Sequence, residues 1–129
     1  MAVGLKEEQA EANYWLAVVL YTEGTRAKYG EAVACADKAL ALKPDHALAH
    51  FYRGLALNGL GRRKEAITAF RQAILCHPEL VDPHWELANA LAEEGREDEA
   101  KPEWRRVAEL APDADPRRGQ ALARIGGAH

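Results

Sequence analysis

Pro44, Pro78 and Pro112 stand 34 residues apart, and the residues between them recur in kind as well as in number. A chain patterned this way folds as a row of similar small units, each burying its apolar face on its neighbours, because no single unit of that size can bury one alone. Aligning on the prolines places Ala32, Ala66 and Ala100 in one column, Ala36, Phe70 and Trp104 in a second, and Ala39, Ala73 and Val107 in a third. Gly24, Gly61 and Gly95 fall together once the first unit is allowed three extra residues, Thr25 to Ala27. Small and aromatic residues at fixed offsets with a closing proline predict an all-α helix-turn-helix solenoid rather than a compact enzyme.

The residues within each unit carry a family resemblance. The pattern W-x2-L-G-x2-Y, then A-x3-F, then P meets His50, Arg53, Gly54, Leu57, Ala66, Phe70 and Pro78 in the second unit. The third reads His84, Leu87, Ala88, Leu91, Ala100, Trp104 and Pro112, and the first Asn13, Leu16, Ala17, Leu20, Ala32, Ala36 and Pro44. The chain thus resembles the tetratricopeptide repeat family, although the usual Trp is absent and the usual Tyr is Leu throughout. The resemblance implies three repeats at about 10–46, 47–80 and 81–114, a capping helix at about 116–125 and a flexible tail at 126–129, with residues 1–125 forming one domain.

Turn chemistry sets the expected elements. First helices are expected near 7–23, 46–59 and 83–94, and second helices near 29–42, 62–76 and 97–110. Asp45, Asp82 and Asp115 stand where a carboxylate can cap orphan backbone N–H groups, with Pro83 and Pro116 at the first helical position. Gly24, Gly61 and Gly95 end the first helices, where a left-handed residue is wanted. Pro102 breaks the pattern one turn into the last repeat helix, which must start late or kink. Leu122 and Ala123 are matched to the Leu87 and Ala88 pair, and Arg117, Arg118 and Arg124 are expected to keep the outer face of the cap wet.

Composition narrows the class. The formal net charge is −3 and there are two cysteines, Cys35 and Cys76, which no spacing pairs. The start carries Glu7, Glu8 and Glu11, unlike a secretory signal, and the apolar run from Tyr14 to Tyr21 is too short to span a bilayer, so a cytoplasmic setting without membrane insertion is expected. His46, His50 and His84 lack a completing ligand set, so neither metal nor cofactor is expected. Gly59, Gly61 and Lys64 follow no strand and make no phosphate loop. The basic patch Arg62, Arg63, Lys64 and Arg71 lacks interleaved aromatics, so nucleic acid is not expected either.

In proteins that resemble this one the first helices line a concave groove. Tyr14, Val18 and Tyr21 share one helical face, which recurs as Phe51, Leu55 and Asn58 and again as Trp85, Asn89 and Ala92. Leu16, Ala17 and Leu20 are assigned to pairing with the second helix, so the recurring aromatics Tyr14, Phe51 and Trp85 are surplus to it and suggest a partner. Leu48 and Tyr52 extend this predicted peptide groove. Trp15 and Val19 make the first helix apolar nearly all round, and a ligand peptide, a second copy of the chain or residues 1–6 should cover it. Residues 47–80 carry five Lys or Arg against two Asp or Glu, while residues 81–114 carry four against ten. Asp82 and Glu86 therefore make the Trp85 end of the groove acidic and suited to a basic peptide.

Family members that grip the C-terminal carboxylate of heat-shock chaperones use Lys, Asn, Asn, Lys and Arg at the places occupied here by Tyr14, Val18, Tyr52, Asp82 and Glu86. No cation remains for that carboxylate and two acids repel it. The expected function is a non-catalytic protein-binding module holding an apolar, partly basic peptide or helix of a partner. The alternatives are a dedicated chaperone resembling the three-repeat secretion chaperones and a homo-oligomeric assembly factor.

Overall fold

The computed structural model describes residues 2–126, which form helices and turns. They gather into two compact units, Met1–Cys76 and His77–His129. The first holds α1 (Ala2–Glu23), α2 (Arg26–Leu42), α3 (Ala47–Gly59) and α4 (Arg63–Cys76). The second holds α5 (Val81–Glu93), α6 (Glu97–Leu110) and α7 (Pro116–Gly126). The three expected helix pairs and the cap are all present. Residues 127–129 of the expected tail lie outside the described residues.

Each pair closes by the same device. Gly24, Gly61 and Gly95 adopt φ of 76°, 81° and 77°, a left-handed conformation that a Cβ would strain, so glycine there ends one helix and releases the chain into the next. A second device also recurs with the period. The ring of His50 donates from Nε2 to the Pro44 carbonyl at 2.9 Å, and His84 does the same to the Pro78 carbonyl at 2.8 Å. The histidine thus returns to the proline that closes the preceding helix, satisfying a carbonyl that proline leaves at the turn.

Small residues set the interhelical distance in the first unit. A Cβ on Gly54 would lie 2.6 Å from the Phe70 ring, and one on Gly59 would lie 2.6 Å from the Tyr29 ring. Ala17, Ala32, Ala36 and Ala56 are fully buried or nearly so, packed with Leu20 and Cys35. Tyr14, Ala39 and Ala49 form a second cluster, with Val18, Leu40 and Tyr52 against it. In the second unit Leu87, Ala88 and Leu91 of α5 and Ala100, Trp104 and Val107 of α6 are buried. The alternation of large and small faces is what lets helix ridges seat in grooves at close range.

Several local expectations need correction. The cap of α3 is His46, not Asp45: its Nδ1 accepts the Ala49 N–H at 3.1 Å. Helix α5 begins at Val81, two residues before Pro83, so Asp82 lies inside its first turn and is not the cap. Asp115 does cap α7, accepting the Arg117 N–H at 2.9 Å beside Pro116 at the first position. Helix α6 does not start late; it runs from Glu97 through Pro102. The carbonyl deprived of its partner is that of Asp98, an exposed residue in the first turn where water can reach it.

The cap also differs in register. Ala121, 34 residues after Leu87, is fully buried, whereas Leu122 is 48% exposed. Its arginines turn inward and fasten α7 rather than only wetting it. Arg118 Nη1 donates to the Ala108 carbonyl at 2.8 Å, Arg124 Nη2 to Glu97 at 2.8 Å, and the Arg124 guanidinium lies 4.8 Å from the Trp104 ring centre. Helix α7 thus buries Ala121 fully and is tied to α6 by Arg118 and Arg124.

Candidate peptide-binding faces

The first unit presents an aromatic face built by α1 and α3. Tyr52 is its centre: its ring meets Tyr14 at 5.9 Å, Tyr21 at 5.9 Å and Phe51 at 5.4 Å, all edge to face. That geometry brings a positive ring edge onto a negative ring face, and it fixes the rings without strain. Tyr21 and Tyr52 stay partly exposed, as do Val18, Leu55 and Asn58, while Leu48 is exposed. Tyr14 and Phe51 differ from the expectation of surplus surface, being only 5% and 6% exposed. Tyr14 packs on Ala39 and Ala49, and Phe51 on Phe70 at 5.9 Å, so both belong to the interior. Burial, with Tyr52 and Glu11 nearby, pushes the Tyr14 hydroxyl above its ordinary pKa.

Glu11 also ties α1 to the start of α3. Because His46 Nδ1 accepts a backbone N–H, the ring proton sits on Nε2 and is donated to Glu11 Oε1 at 2.6 Å. This bond anchors the helix whose outer side carries Trp15, 58% exposed, and Val19, 53% exposed. Leu16, expected in the helix-pair stripe, is 48% exposed and joins them instead. The first five described residues, Ala2 to Lys6, continue the helix itself and therefore cannot fold back over this face. Met1 lies outside the described residues.

The second unit presents Trp85, Glu86 and Asn89, all partly exposed, on α5. Trp85 is steadied edge to face against Trp104 at 5.3 Å. Asp82, expected to attract a basic ligand, is already engaged: Arg117 Nη1 donates to it at 2.5 Å while Nε and Nη2 hold Asp115. Sequence reasoning missed Arg117 because its partner lies 35 residues away and no local spacing signals the pair. Glu86 is the acid that remains. Burial, with Asp82 and Glu93 beside it outweighing Arg117, pushes its carboxyl above the usual carboxylate range. Of the acidic run that follows, Glu97 is held by Arg124 and Glu99 by Arg96.

Antiparallel helix pairs repeated at a 34-residue period, closed by left-handed glycines and carrying partly exposed side chains on their first helices, define a repeat protein of the helical kind. The chain belongs to the tetratricopeptide repeat family, whose model matches residues 24–81 and 59–118. A TPR repeat-containing thioredoxin of Arabidopsis thaliana is 31% identical over 83 residues, 64% of this chain and 12% of the relative. The chain therefore spans about an eighth of that relative's length. Among solved structures, the second TPR of Spaghetti (RPAP3), bound to an HSP90 peptide, shares 26% identity and a TM-score of 0.78 over 84% of this chain and 97% of that one. The Yersinia enterocolitica type III secretion translocator chaperone SycD, in an alternative dimer, shares the fold with a TM-score of 0.80 at 18% identity, covering 93% of this chain and 91% of that one.

Proposed function

We propose that the chain is a non-catalytic protein-binding module, working in the cytoplasm, whose first-helix faces hold a peptide or helix of a partner. Unit 1 offers Tyr21, Tyr52 and Leu55 to apolar side chains; unit 2 offers Trp85 and Glu86 to a Lys or Arg. The observation that carries this reading is Glu86. A half-buried carboxylate whose ionisation is disfavoured by its surroundings recovers that cost when a cation docks beside it, and the partly exposed Trp85 next to it offers a ring face to the same side chain. The solved Spaghetti domain with a bound peptide supports the general mode. Its ligand ends in acidic residues, and the acids on α5 favour the opposite charge.

Fluorescence anisotropy with a labelled basic amphipathic peptide tests the reading. Binding is expected to weaken with salt, over the roughly 8–10 Å range at which exposed charges are screened, and to fall on Glu86→Gln and on Trp85→Ala. An acidic-tailed peptide that binds more tightly than the basic one overturns it.

A second reading is self-association, and the exposed apolar side of α1 favours it. Trp15, Leu16 and Val19 lie on the side away from the α2 and α3 packing, and large exposed apolar patches on small proteins mark interaction surfaces. The dimer in which the SycD chaperone was solved is a precedent within the fold, and a dedicated chaperone that dimerises would combine both readings.

A further inference from the structure

The outer side of α1 carries more than isolated apolar residues. Leu5, Ala12 and Val19 follow one another at intervals of seven, with Trp15 and Leu16 between the last two, and all five are exposed. Apolar residues at intervals of seven supply one of the two positions of a two-helix coiled-coil seam. The other is taken here by Glu8, Trp15 and Thr22, so the stripe is a short apolar contact centred on Trp15. The buried side of the same helix is separate, made of Ala10, Tyr14, Ala17 and Leu20. Trp15 is not a loose ring: Tyr14 lies 4.9 Å from it, centre to centre, and backs it from within the unit.

We infer that this seam pairs with the seam of a second copy, the two α1 helices running antiparallel with Trp15 of each seated over Ala12 of the other. The inference rests on the self-association reading and adds the surface and the orientation. A twofold interface must be its own complement, so one patch has to supply both the projecting and the receiving residue. Trp15 projects, and Ala12, one helical turn before it, is the smallest side chain of the seam. In antiparallel register the same alignment sets Leu5 against Thr22 and Val19 beside Glu8, whose methylenes can cover it. Parallel pairing would instead bring Glu8 against Glu8 and crowd Glu7 and Glu11 of both copies together, a repulsion the antiparallel arrangement spreads apart.

Area sets the strength. The five side chains offer roughly 400–500 Å² per copy, so two copies bury about 800–1,000 Å² through them, just short of the ~1,000 Å² that a specific interface should clear, and the polar flanks must supply the rest. The pair should therefore be weak and concentration-dependent, and not an obligate dimer. Covering by the chain's own Ala2 to Lys6 is excluded by their place in the helix.

Sedimentation velocity of the full chain over a roughly hundred-fold concentration range is the first test, with circular dichroism confirming that variants stay folded. Trp15→Glu, on an exposed side chain, should keep the helical signal and weaken dimerisation by about ten-fold or more, because a carboxylate would have to be desolvated in the seam. For orientation, Leu5→Cys and Thr22→Cys are made separately on a Cys76→Ser background and oxidised alone and mixed. Antiparallel pairing cross-links the mixture and neither variant alone. Cross-linking of each variant alone, or a dimer indifferent to Trp15→Glu, overturns the seam and its register while leaving self-association standing. A monomer at every concentration overturns both.

Discussion

His84 Nδ1 lies 2.6 Å from Glu103 Oε1 between α5 and α6, and the second ring nitrogen of the same histidine donates to the Pro78 carbonyl at 2.8 Å. Both of its nitrogens are hydrogen-bonded, so one ring closes the turn and the helix pair at once. His84 is almost wholly buried and Glu103 largely so. Replacing His84 by Ala strands a carboxylate and a carbonyl together; a loss of about 2–4 kcal/mol of stability is expected, read as a lower urea midpoint at unchanged slope. A variant that melts like the wild type would show that water replaces the ring without cost.

Gly54 gives a prediction about packing alone. A methyl there meets two ring carbons of Phe70 at 2.6 and 2.7 Å, and Phe70 is fully buried with nowhere to swing. Gly54→Ala should cost about 1–3 kcal/mol despite the better helix propensity of Ala, and pairing it with Phe70→Leu should recover part of the loss. Thermal melts of the single and double variants decide the matter.

Glu86 predicts a pH dependence. Its carboxyl is raised above the unfolded value, so the folded state holds the proton more tightly; its contribution to stability is complete below the unfolded pKa and is lost as pH rises through the folded one. Glu86→Gln should therefore raise the melting temperature by a few degrees at neutral pH and leave it nearly unchanged in mild acid. Equal effects at both pH values would contradict the sign.

The aromatic face separates binding from folding. Phe51 is interior, and Phe51→Ala should cost about 3–5 kcal/mol of stability. Tyr52 and Trp85 are partly exposed, so Tyr52→Ala and Trp85→Ala should cost less and instead weaken peptide binding, by about 1–2 kcal/mol each if they act as interface anchors. Titrations paired with circular dichroism distinguish the two classes.

The repeat period made the fold legible, because the columns of alanine, aromatic and proline record where helices touch and where chains turn. The three left-handed glycines were readable for that reason, whereas Gly54 and Phe70 were readable as members of the pattern and not as a contact. Exposure along the first helices was not. Tyr14 and Trp15 are neighbours in sequence, one interior and the other open, and only the packing of α1 on α2 and α3 separates them. The acidic end of the site was legible as charge but not as chemistry. Whether Asp82 or Glu86 keeps an unmet carboxylate depends on where Arg117 goes, and long side chains from distant elements leave no local pattern.

The fastening of α7 has a spectroscopic consequence. Beneath it lies Trp104, only 1% exposed, its indole N–H without an acceptor among the described residues and its ring under the Arg124 guanidinium. An indole in that setting emits at short wavelength and shifts red once water reaches it. With Trp15 and Trp85 replaced by Phe, the emission of Trp104 therefore reports whether α7 still covers it, and salt that screens the arginine ties should bring the red shift nearer.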